Sequence, residues 1–358
     1  MHIDDLLRMT VTKGASDLHL KVGGFPVLRI NGQLAPQDKM PEMTAEDMRH
    51  VFEELATDEQ RSSFADELEL DFAYQANGIG RFRINACLQG GTISLACRPV
   101  QTQIPTIEEL GLPEICKHLV LKPSGLIVVT GPTGCGKSTT LAAMMNYLNE
   151  KEKRKVVTIE DPIEFVHQDK ECIFSQRELG TDTRSFANAL KHALRQDPDV
   201  ILVGEMRDLE TMATALTAAE TGHLILTTLH TPSAPQAIDR FIDVFPPHQQ
   251  QQVRTQLSTT LEGVLYQTLI PRSDGSGRVA AVEVMLATTA IRNLIREGKT
   301  YQIMNAIQTG AQYGMQTSDQ ALLGLYRNGI ISREEALARS ANVEELKGML
   351  DAPHYNRQ

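Results

Sequence analysis

The sequence predicts an α/β protein with a small α+β domain at its N-terminus and a larger domain built on a parallel sheet. Over residues 1–100, apolar and polar side chains alternate in short runs that glycines separate, which is typical of half-buried strands. From residue 119, uninterrupted apolar runs alternate with helical patterns. Such runs indicate parallel strands that are buried on both faces.

Within the first domain, residues 17–22 alternate between polar and apolar side chains and predict a strand. Asn31-Gly32 is a turn signal after a further short strand. Thr44 and Asp47 have the spacing of a capping box, and the residues after them carry apolar side chains at helical spacing. A second alternating run, 68–74, predicts another strand.

Two arginines share one face of a predicted hairpin. Residues 81–86 and 92–98 form alternating runs on either side of Gly90-Gly91. The alternation places Arg83 and Arg98 on the face opposite the core, because strand side chains repeat every second residue. A single arginine in such a position is most often a solvated surface group.

Residues 101–118 contain two prolines and a short helical piece, and we predict that they form a linker. The domain predicted over residues 119–285 has four buried strands with helices between them, one of which begins after Ser185. Its strands cover the apolar runs 126–129, 156–159, 200–203 and 224–226.

The predicted C-terminal region, 286–358, is helical throughout. Ser318, Ser332 and Asn342 are helix start signals, and Gly298 and Gly329 are helix stop signals.

A phosphate-binding motif follows the first of these strands. Residues 131–138 read Gly-Pro-Thr-Gly-Cys-Gly-Lys-Ser and match the Walker A pattern, with a buried strand before them and a helical pattern after them. Backbone amides of such a loop surround phosphate oxygens, Lys137 reaches the β- and γ-phosphates, and the Ser138 hydroxyl ligates Mg²⁺. The predicted nucleotide-binding residues are Gly131, Pro132, Thr133, Gly134, Cys135, Gly136, Lys137, Ser138 and Thr139.

Carboxylates follow the next two strands. Glu205 comes after a four-residue apolar run and fits a Walker B strand, where it would hold Mg²⁺ through water or orient the attacking water. Glu160, Asp161 and Glu164 cluster after the strand at 156–159. A general base for water needs a carboxylate near the γ-phosphate, and spacing alone does not choose among these three.

Two histidines bracket the fourth strand. His223 precedes it and His230 follows it, and structural and functional roles are equally compatible with this pattern. Zinc binding by these histidines is disfavoured, because they lie seven residues apart with no third ligand at suitable spacing.

Composition narrows the possible functions. The 358 residues include 35 Lys and Arg and 45 Asp and Glu, for a net charge of −10, which disfavours a nucleic-acid binder. No apolar run has the roughly 20 residues needed to span a bilayer, and the N-terminus lacks the features of a signal peptide, so we expect a cytoplasmic protein. The five cysteines form no CxxC pair, which disfavours a cysteine zinc site, and an odd number of cysteines in a cytoplasmic chain indicates reduced thiols.

Several segments together resemble the secretion and type IV pilus ATPase superfamily, and specifically its pilus retraction ATPases, the PilT family. The similarity extends over almost the whole chain. The segments that carry it are 14–20, the Walker A stretch 131–138, an acidic box 158–164, the Walker B stretch 197–208, a histidine box 221–231 and a C-terminal signature 290–297.

The resemblance implies a PAS-like N-terminal domain, a RecA-like ATPase core with a helical extension, and a homohexamer. It implies that Glu164 is the general base, that Arg83 and Arg98 reach the γ-phosphate, and that His223 and His230 couple nucleotide state to neighbouring elements. It also implies work on a platform protein at the cytoplasmic face of the inner membrane. No nucleic-acid partner is expected, because of the net charge of −10.

The signature at 290–297 has a physical interpretation of its own. Ile291, Leu294 and Ile295 have helical spacing and are predicted to face inward, and Arg292 and Arg296 to face away. An ordinary amphipathic helix has the same pattern. The resemblance favours a coupling or docking surface.

Four functions are therefore considered. The leading one is a Mg²⁺-dependent ATPase that powers pilus retraction. A second is an accessory retraction ATPase or a type II/IV secretion ATPase, although the four-cysteine zinc motif common in pilus extension and type II enzymes is absent here. The others are a nucleic-acid translocase on the same core and a nucleotide-sensing module without catalysis.

Overall fold

The computed structural model describes residues 2–30, 32–100 and 103–351. Asn31 of the predicted turn, residues 101–102 of the predicted linker and residues 352–358 of the predicted helical region lie outside the described residues. The chain divides into two compact units. The first unit contains Met1–Gln103, Pro162–Val166 and Gly180–Asp182, and the second contains Ile104–Asp161, His167–Leu179 and Thr183–Gln358.

The first unit is an antiparallel sheet packed against helices. Its elements are α1 (Ile3–Thr12), β1 (Asp17–Lys21), β2 (Val27–Ile30), β3 (Gln33–Pro36), α2 (Ala45–Leu55), α3 (Asp58–Glu67), β4 (Glu69–Ala76), β5 (Gly80–Gln89) and β6 (Thr92–Pro99). The strand order is β3-β2-β1-β6-β5-β4. Leu18, Leu20, Phe82 and Ile84 are fully buried between this sheet and the helices.

Local sequence signals predicted part of this unit. The Thr44–Asp47 capping box is present, and it begins α2. The strand predicted over 68–74 was wrong at its first residue. Leu68 is the C-cap of α3, with φ 66°, and its side chain is exposed, because the chain must turn there before β4 begins.

The second unit contains a mixed sheet flanked by helices. Its elements are α4 (Ile115–Val120), β7 (Gly125–Thr130), α5 (Lys137–Lys151), β8 (Lys155–Glu160), β9 (Ile173–Glu178), α6 (Phe186–Ala193), β10 (Val200–Val203), α7 (Leu209–Glu220), β11 (Leu224–Leu229), α8 (Ala234–Asp243), α9 (Pro247–Thr260), β12 (Leu261–Pro271), β13 (Arg278–Leu286), α10 (Thr289–Arg296), α11 (Ile303–Gln308), α12 (Ser318–Arg327), α13 (Arg333–Arg339) and α14 (Val343–Asp351).

The sheet of this unit has the order β13-β12-β7-β11-β10-β8-β9. Every neighbouring pair is parallel except β12 and β13. Thr130 lies opposite Leu229, and Val203 lies opposite Thr227 and Ile159, so β7, β11, β10 and β8 end at one edge of the sheet. The predicted α/β class is confirmed. The PAS-like description of the first unit remains a prediction.

Residues 104–118 are included in the second unit, although we predicted that they belong to a linker. Ile107, Leu112 and Cys116 are buried against β7 and α5 neighbours in the core. Their apolar side chains explain this packing, because a solvated linker would leave them in water.

The C-terminal helices begin and end close to their predicted signals. Gly298 and Gly329 follow the ends of α10 and α12 with φ of 69°, as helix-terminating glycines do. Ser318 is not the cap of α12: Thr317 is, and it forms a capping box with Gln320. Among the described residues, no helix combines the length and apolar character needed to cross a membrane.

Candidate active site

A glycine-rich loop connects β7 to α5. Gly131, Gly134 and Gly136 have φ of 145°, 76° and 89°, which L-residues with side chains rarely adopt. A Cβ on Gly131 would lie 2.3 Å from the backbone oxygen of Gln267. No described side chain caps the N-terminus of α5. The loop therefore presents backbone amides and a helix N-terminus, which is a suitable cradle for phosphate oxygens.

Lys137 is the cation of this loop. Its ammonium group donates to the backbone oxygens of Gly131 at 2.9 Å and Pro132 at 3.1 Å. Burial lowers the pKa of Lys137, and interactions with Cys135 and Glu205 oppose only part of that effect. Burial also raises the pKa of the neighbouring Cys135 thiol. Ser138, one residue further into α5, is exposed, so its hydroxyl is accessible to a metal ion.

Glu205 lies just beyond the end of β10, at the same edge of the sheet. Its carboxylate forms an ion pair with Arg207 at 2.8 Å, and only 21% of its side chain is exposed. Arg207 itself is largely exposed. β10 pairs with β11, and β11 pairs with β7, which leads into the glycine-rich loop. Glu205 therefore follows a strand that is two positions from β7 in the sheet.

His230 completes the polar cluster at this edge. Its Nδ1 lies 3.4 Å from Nζ of Lys137. Burial lowers the pKa of His230, Lys137 and Arg207 lower it further, and Glu205 opposes them. The lowered pKa favours the neutral imidazole, which has one donor and one acceptor nitrogen, so Nδ1 can accept a hydrogen bond from the lysine.

Threonines connect the loop to the end of β11. The Thr130 and Thr231 hydroxyls lie 2.8 Å apart, and the Thr231 backbone amide donates to the Thr130 hydroxyl at 2.9 Å. Thr231 then donates to the backbone oxygen of Ser233, the N-cap of α8. Thr130 and Thr231 are both buried, so their hydrogen bonds hold the residue after His230 against the end of β7, where the loop begins.

The three predicted base candidates have different surroundings. Glu160, at the end of β8, accepts hydrogen bonds from Thr158 at 2.7 Å and Gln176 at 3.2 Å. Asp161 is exposed. Glu164 is exposed as well, and its segment is grouped with the first unit, between the buried Ile163 and Phe165. Glu164 thus has an accessible carboxylate, whereas Glu160 is engaged within its sheet.

Arg83 and Arg98 are directly opposite each other on β5 and β6, which confirms that the two arginines share a face. Arg98 donates to the carboxylate of Asp17 at 2.7 Å and 2.8 Å. Burial raises the pKa of Asp17, but hydrogen bonds from Arg98 and Ser16 more than compensate, and the pKa lies below its usual value. Asp17 therefore remains charged and orients Arg98.

His223 is the predicted site residue that the structure separates from the cluster. It precedes the first residue of β11, at the amino edge of the sheet, whereas His230 follows the last residue at the carboxyl edge. Its Nδ1 lies 3.0 Å from the Ala218 backbone oxygen. The two histidines bracket β11 as the sequence predicted, and a six-residue strand holds its two ends about 20 Å apart.

Two further residues at this edge were not selected from the sequence. Arg207 follows Glu205 by two residues within the Walker B stretch 197–208, but no sequence pattern assigned it a role. Gln267 interrupts the apolar residues of β12, and this interruption was the available signal. The structure buries Gln267 against the glycine-rich loop.

A model of a known protein family matches residues 2–337, and its description is "Type II/IV secretion system protein". The chain is 50% identical over 336 residues to a Pseudomonas aeruginosa protein described as a type IV pilus retraction ATPase, PilT. That alignment covers 94% of this chain and 97% of the relative.

Two other relatives bear on the site. The type IV pilus ATPase PilU of Pseudomonas aeruginosa is 45% identical, and the alignment covers 99% of this chain and 94% of PilU. A crystal structure of the pilus retraction motor PilT with bound ADP has a TM-score of 0.91 and 44% identity. It covers 97% of this chain and 99% of the solved one.

Proposed function

This chain belongs to the type II/IV secretion system protein family, and we propose that it is an ATPase of that family that powers type IV pilus retraction and twitching motility. One observation carries the proposal. Lys137, Glu205 and His230 gather at the edge of the sheet where the glycine-rich loop begins. The high identity to a retraction ATPase supports retraction as the work performed.

The loop would bind the phosphates of ATP through its amides, with the Lys137 ammonium group at the β- and γ-phosphates. Glycines at 131 and 136 fit this function, since a side chain at 131 would collide with β12. Ser138 and, through water, Glu205 would hold Mg²⁺, which neutralises charge on the phosphate oxygens when bound. Phosphoryl transfer depends mainly on such positioning and charge stabilisation.

The remaining groups have roles around the γ-phosphate. Glu164 is the proposed general base for the attacking water: its carboxylate is exposed, whereas Glu160 is engaged in its sheet, and the family resemblance favours Glu164 over the equally exposed Asp161. Arg83 and Arg98 would stabilise the transition-state charge, with Asp17 orienting Arg98.

The two histidines have proposed roles in coupling. His230 would transmit the nucleotide state to α8 through Thr231. A similar coupling role for His223 would act at the opposite edge of the sheet.

We further propose a homohexamer that acts on a pilus platform protein at the cytoplasmic face of the inner membrane. In a ring, Arg83 and Arg98 of the first unit would act at nucleotide sites formed by the second unit. Size-exclusion chromatography with light scattering, with and without a non-hydrolysable ATP analogue, tests this assembly. A monomer under both conditions would contradict it.

Phosphate release by purified variants tests the ATPase. Lys137→Ala is expected to abolish nucleotide binding or turnover, since the loop loses its cation. Glu205→Ala and Glu164→Ala are expected to keep ATP binding but lose hydrolysis by about 100-fold or more. Asp161→Ala, which removes an exposed neighbouring carboxylate, is the matched control. Rapid turnover by Glu164→Ala would remove Glu164 from the role of base.

An accessory retraction ATPase remains the second candidate, because the chain is also similar over nearly its whole length to a second type IV pilus ATPase, PilU. The two functions differ in the cell. Deletion of a main retraction ATPase abolishes retraction by itself, whereas deletion of an accessory enzyme leaves retraction that depends on its partner. Retraction measured in a deletion strain therefore separates them.

A further inference from the structure

Gln267 contacts both ends of the glycine-rich loop. It lies on β12, next to Tyr266, which pairs with Thr130 at the end of β7. Its side-chain amide donates from Nε2 to the backbone oxygen of Cys135 at 2.6 Å. Its Oε1 accepts a hydrogen bond from the Thr140 hydroxyl at 2.8 Å. A single buried side chain thus connects the loop to the first turn of α5.

The backbone of Gln267 also constrains the loop. Its carbonyl oxygen occupies the space beside Gly131, where a Cβ would approach to 2.3 Å. Its Nε2 lies 3.3 Å from the position of a Cβ on Gly136. The loop is therefore packed against β12 at Gly131 and at Gly136, with the Cys135 hydrogen bond beside the second contact.

Both side chains that form these hydrogen bonds are buried, so their polar atoms need partners within the protein. Gln267 is 1% exposed, and Thr140 is 2% exposed. A buried amide in an apolar strand is unfavourable unless its polar atoms have partners, and both the donor and the acceptor side are satisfied here. The Cys135 backbone oxygen can only accept, so it fixes the amide with Nε2 toward Cys135 and leaves Oε1 to accept from the Thr140 hydroxyl.

We propose that Gln267 is a positioning residue for nucleotide binding, because it holds the loop 131–136 in the conformation that directs its amides to phosphate. The inference rests on the proposed function of that loop. Gln267 acts through the backbone of the loop and does not itself contact the nucleotide. Loss of the Gln267 side chain should therefore weaken the binding of the nucleotide phosphates, both before and during hydrolysis.

The test measures KM and kcat for MgATP and the Kd for MgADP of the full chain. Gln267→Met keeps the shape of the side chain and removes both hydrogen bonds. We expect KM and Kd to rise about tenfold and kcat to change by less than about threefold, since the loop contacts phosphates in both ground state and transition state. Thermal unfolding without nucleotide reports whether the variant is folded.

Gln316→Met is the matched control. Gln316 donates its amide to the backbone oxygen of Val282 on β13 at 2.7 Å, so its replacement removes a comparable hydrogen bond without touching the loop. Its KM is expected to stay within about twofold of the wild-type value. An equal rise of KM in Gln316→Met, or a folded Gln267→Met with unchanged KM and Kd, would overturn the inference.

Thr140 provides a second pair of variants, which decides the matter if Gln267→Met does not fold. Thr140→Val removes the hydroxyl that donates to Oε1 of Gln267 and should raise KM about threefold, and Thr140→Ser should restore it. Identical KM values for both variants and the wild type would contradict the proposal. A wild-type chain that binds no nucleotide would instead refute the proposed function.

Discussion

His167 is a buried titratable side chain whose ring stacks on Phe174, with ring centroids 4.6 Å apart. Burial lowers the pKa of His167 to about 4. Within the described part of the chain, its buried Nδ1 has no hydrogen-bond partner. The folded protein therefore resists protonation of this ring, whereas the unfolded chain protonates it near pH 6.5.

This difference predicts acid sensitivity. Above pH 6.5 both states are neutral at His167, and as the pH falls toward 4 the unfolded state takes up the proton first, so stability declines. The loss reaches on the order of 2 kcal/mol at pH 5. His167→Phe should lack this component when denaturant unfolding is compared at pH 7.5 and pH 5.

The exposed His118 of α4 supplies the control for that comparison. His118→Phe is expected to keep the wild-type difference in unfolding free energy between the two pH values. An identical pH dependence of the wild type and His167→Phe would contradict the interpretation.

Residues whose partners are close in sequence were predictable, and residues with distant partners were not. The shared face of Arg83 and Arg98 followed from strand alternation on one hairpin. Gln267 contacts Cys135, which is 132 residues away, and no local pattern encodes that contact. The bracketing of β11 by His223 and His230 was likewise local and is confirmed, whereas the contact of His230 with Lys137, 93 residues away, has no local signal.

At the scale of elements, α10 illustrates how a signature segment is fixed. Ile291 and Ile295 are fully buried, as predicted, and Arg296 is exposed. Arg292 was predicted to face away, but it donates to the backbone oxygens of Ser258 and Thr259. It also forms an ion pair with Glu262 at 2.8 Å. The guanidinium thus connects α10 to the end of α9 and the start of β12.

Removal of that connection has a predictable cost. Arg292→Ala should lower the free energy of unfolding by about 1–3 kcal/mol, because the half-buried backbone oxygen of Ser258 loses its donor and Glu262 loses its ion-pair partner. Arg292→Lys should recover only part, since one ammonium group does not span three acceptors. Denaturant unfolding measures both changes.

Arg296→Ala is the control on the same helix, and it should change the unfolding free energy by less than about 0.5 kcal/mol, as exposed substitutions usually do. Equal effects of Arg292→Ala and Arg296→Ala would show that the connection contributes nothing to stability.

At the scale of the whole molecule, the chemistry is concentrated at one edge of one sheet. Strand order places β7, β11 and β10 side by side, so the loop, His230 and Glu205 meet there although they span more than 70 residues. The four apolar runs predicted these strands. The antiparallel pair β12 and β13 was not predicted, since nothing local distinguishes an added edge hairpin from other apolar segments. Its first strand supplies Gln267.

The most direct test is a structure of the chain determined with Mg²⁺ and a non-hydrolysable ATP analogue, together with a calorimetric titration. We expect the terminal phosphates within about 3 Å of backbone amides between residues 134 and 138 and of the Lys137 ammonium group. Binding heat should disappear in Lys137→Ala. An empty loop and no binding heat in the wild type, or a nucleotide bound elsewhere, would contradict the assignment of this edge as the ATPase site.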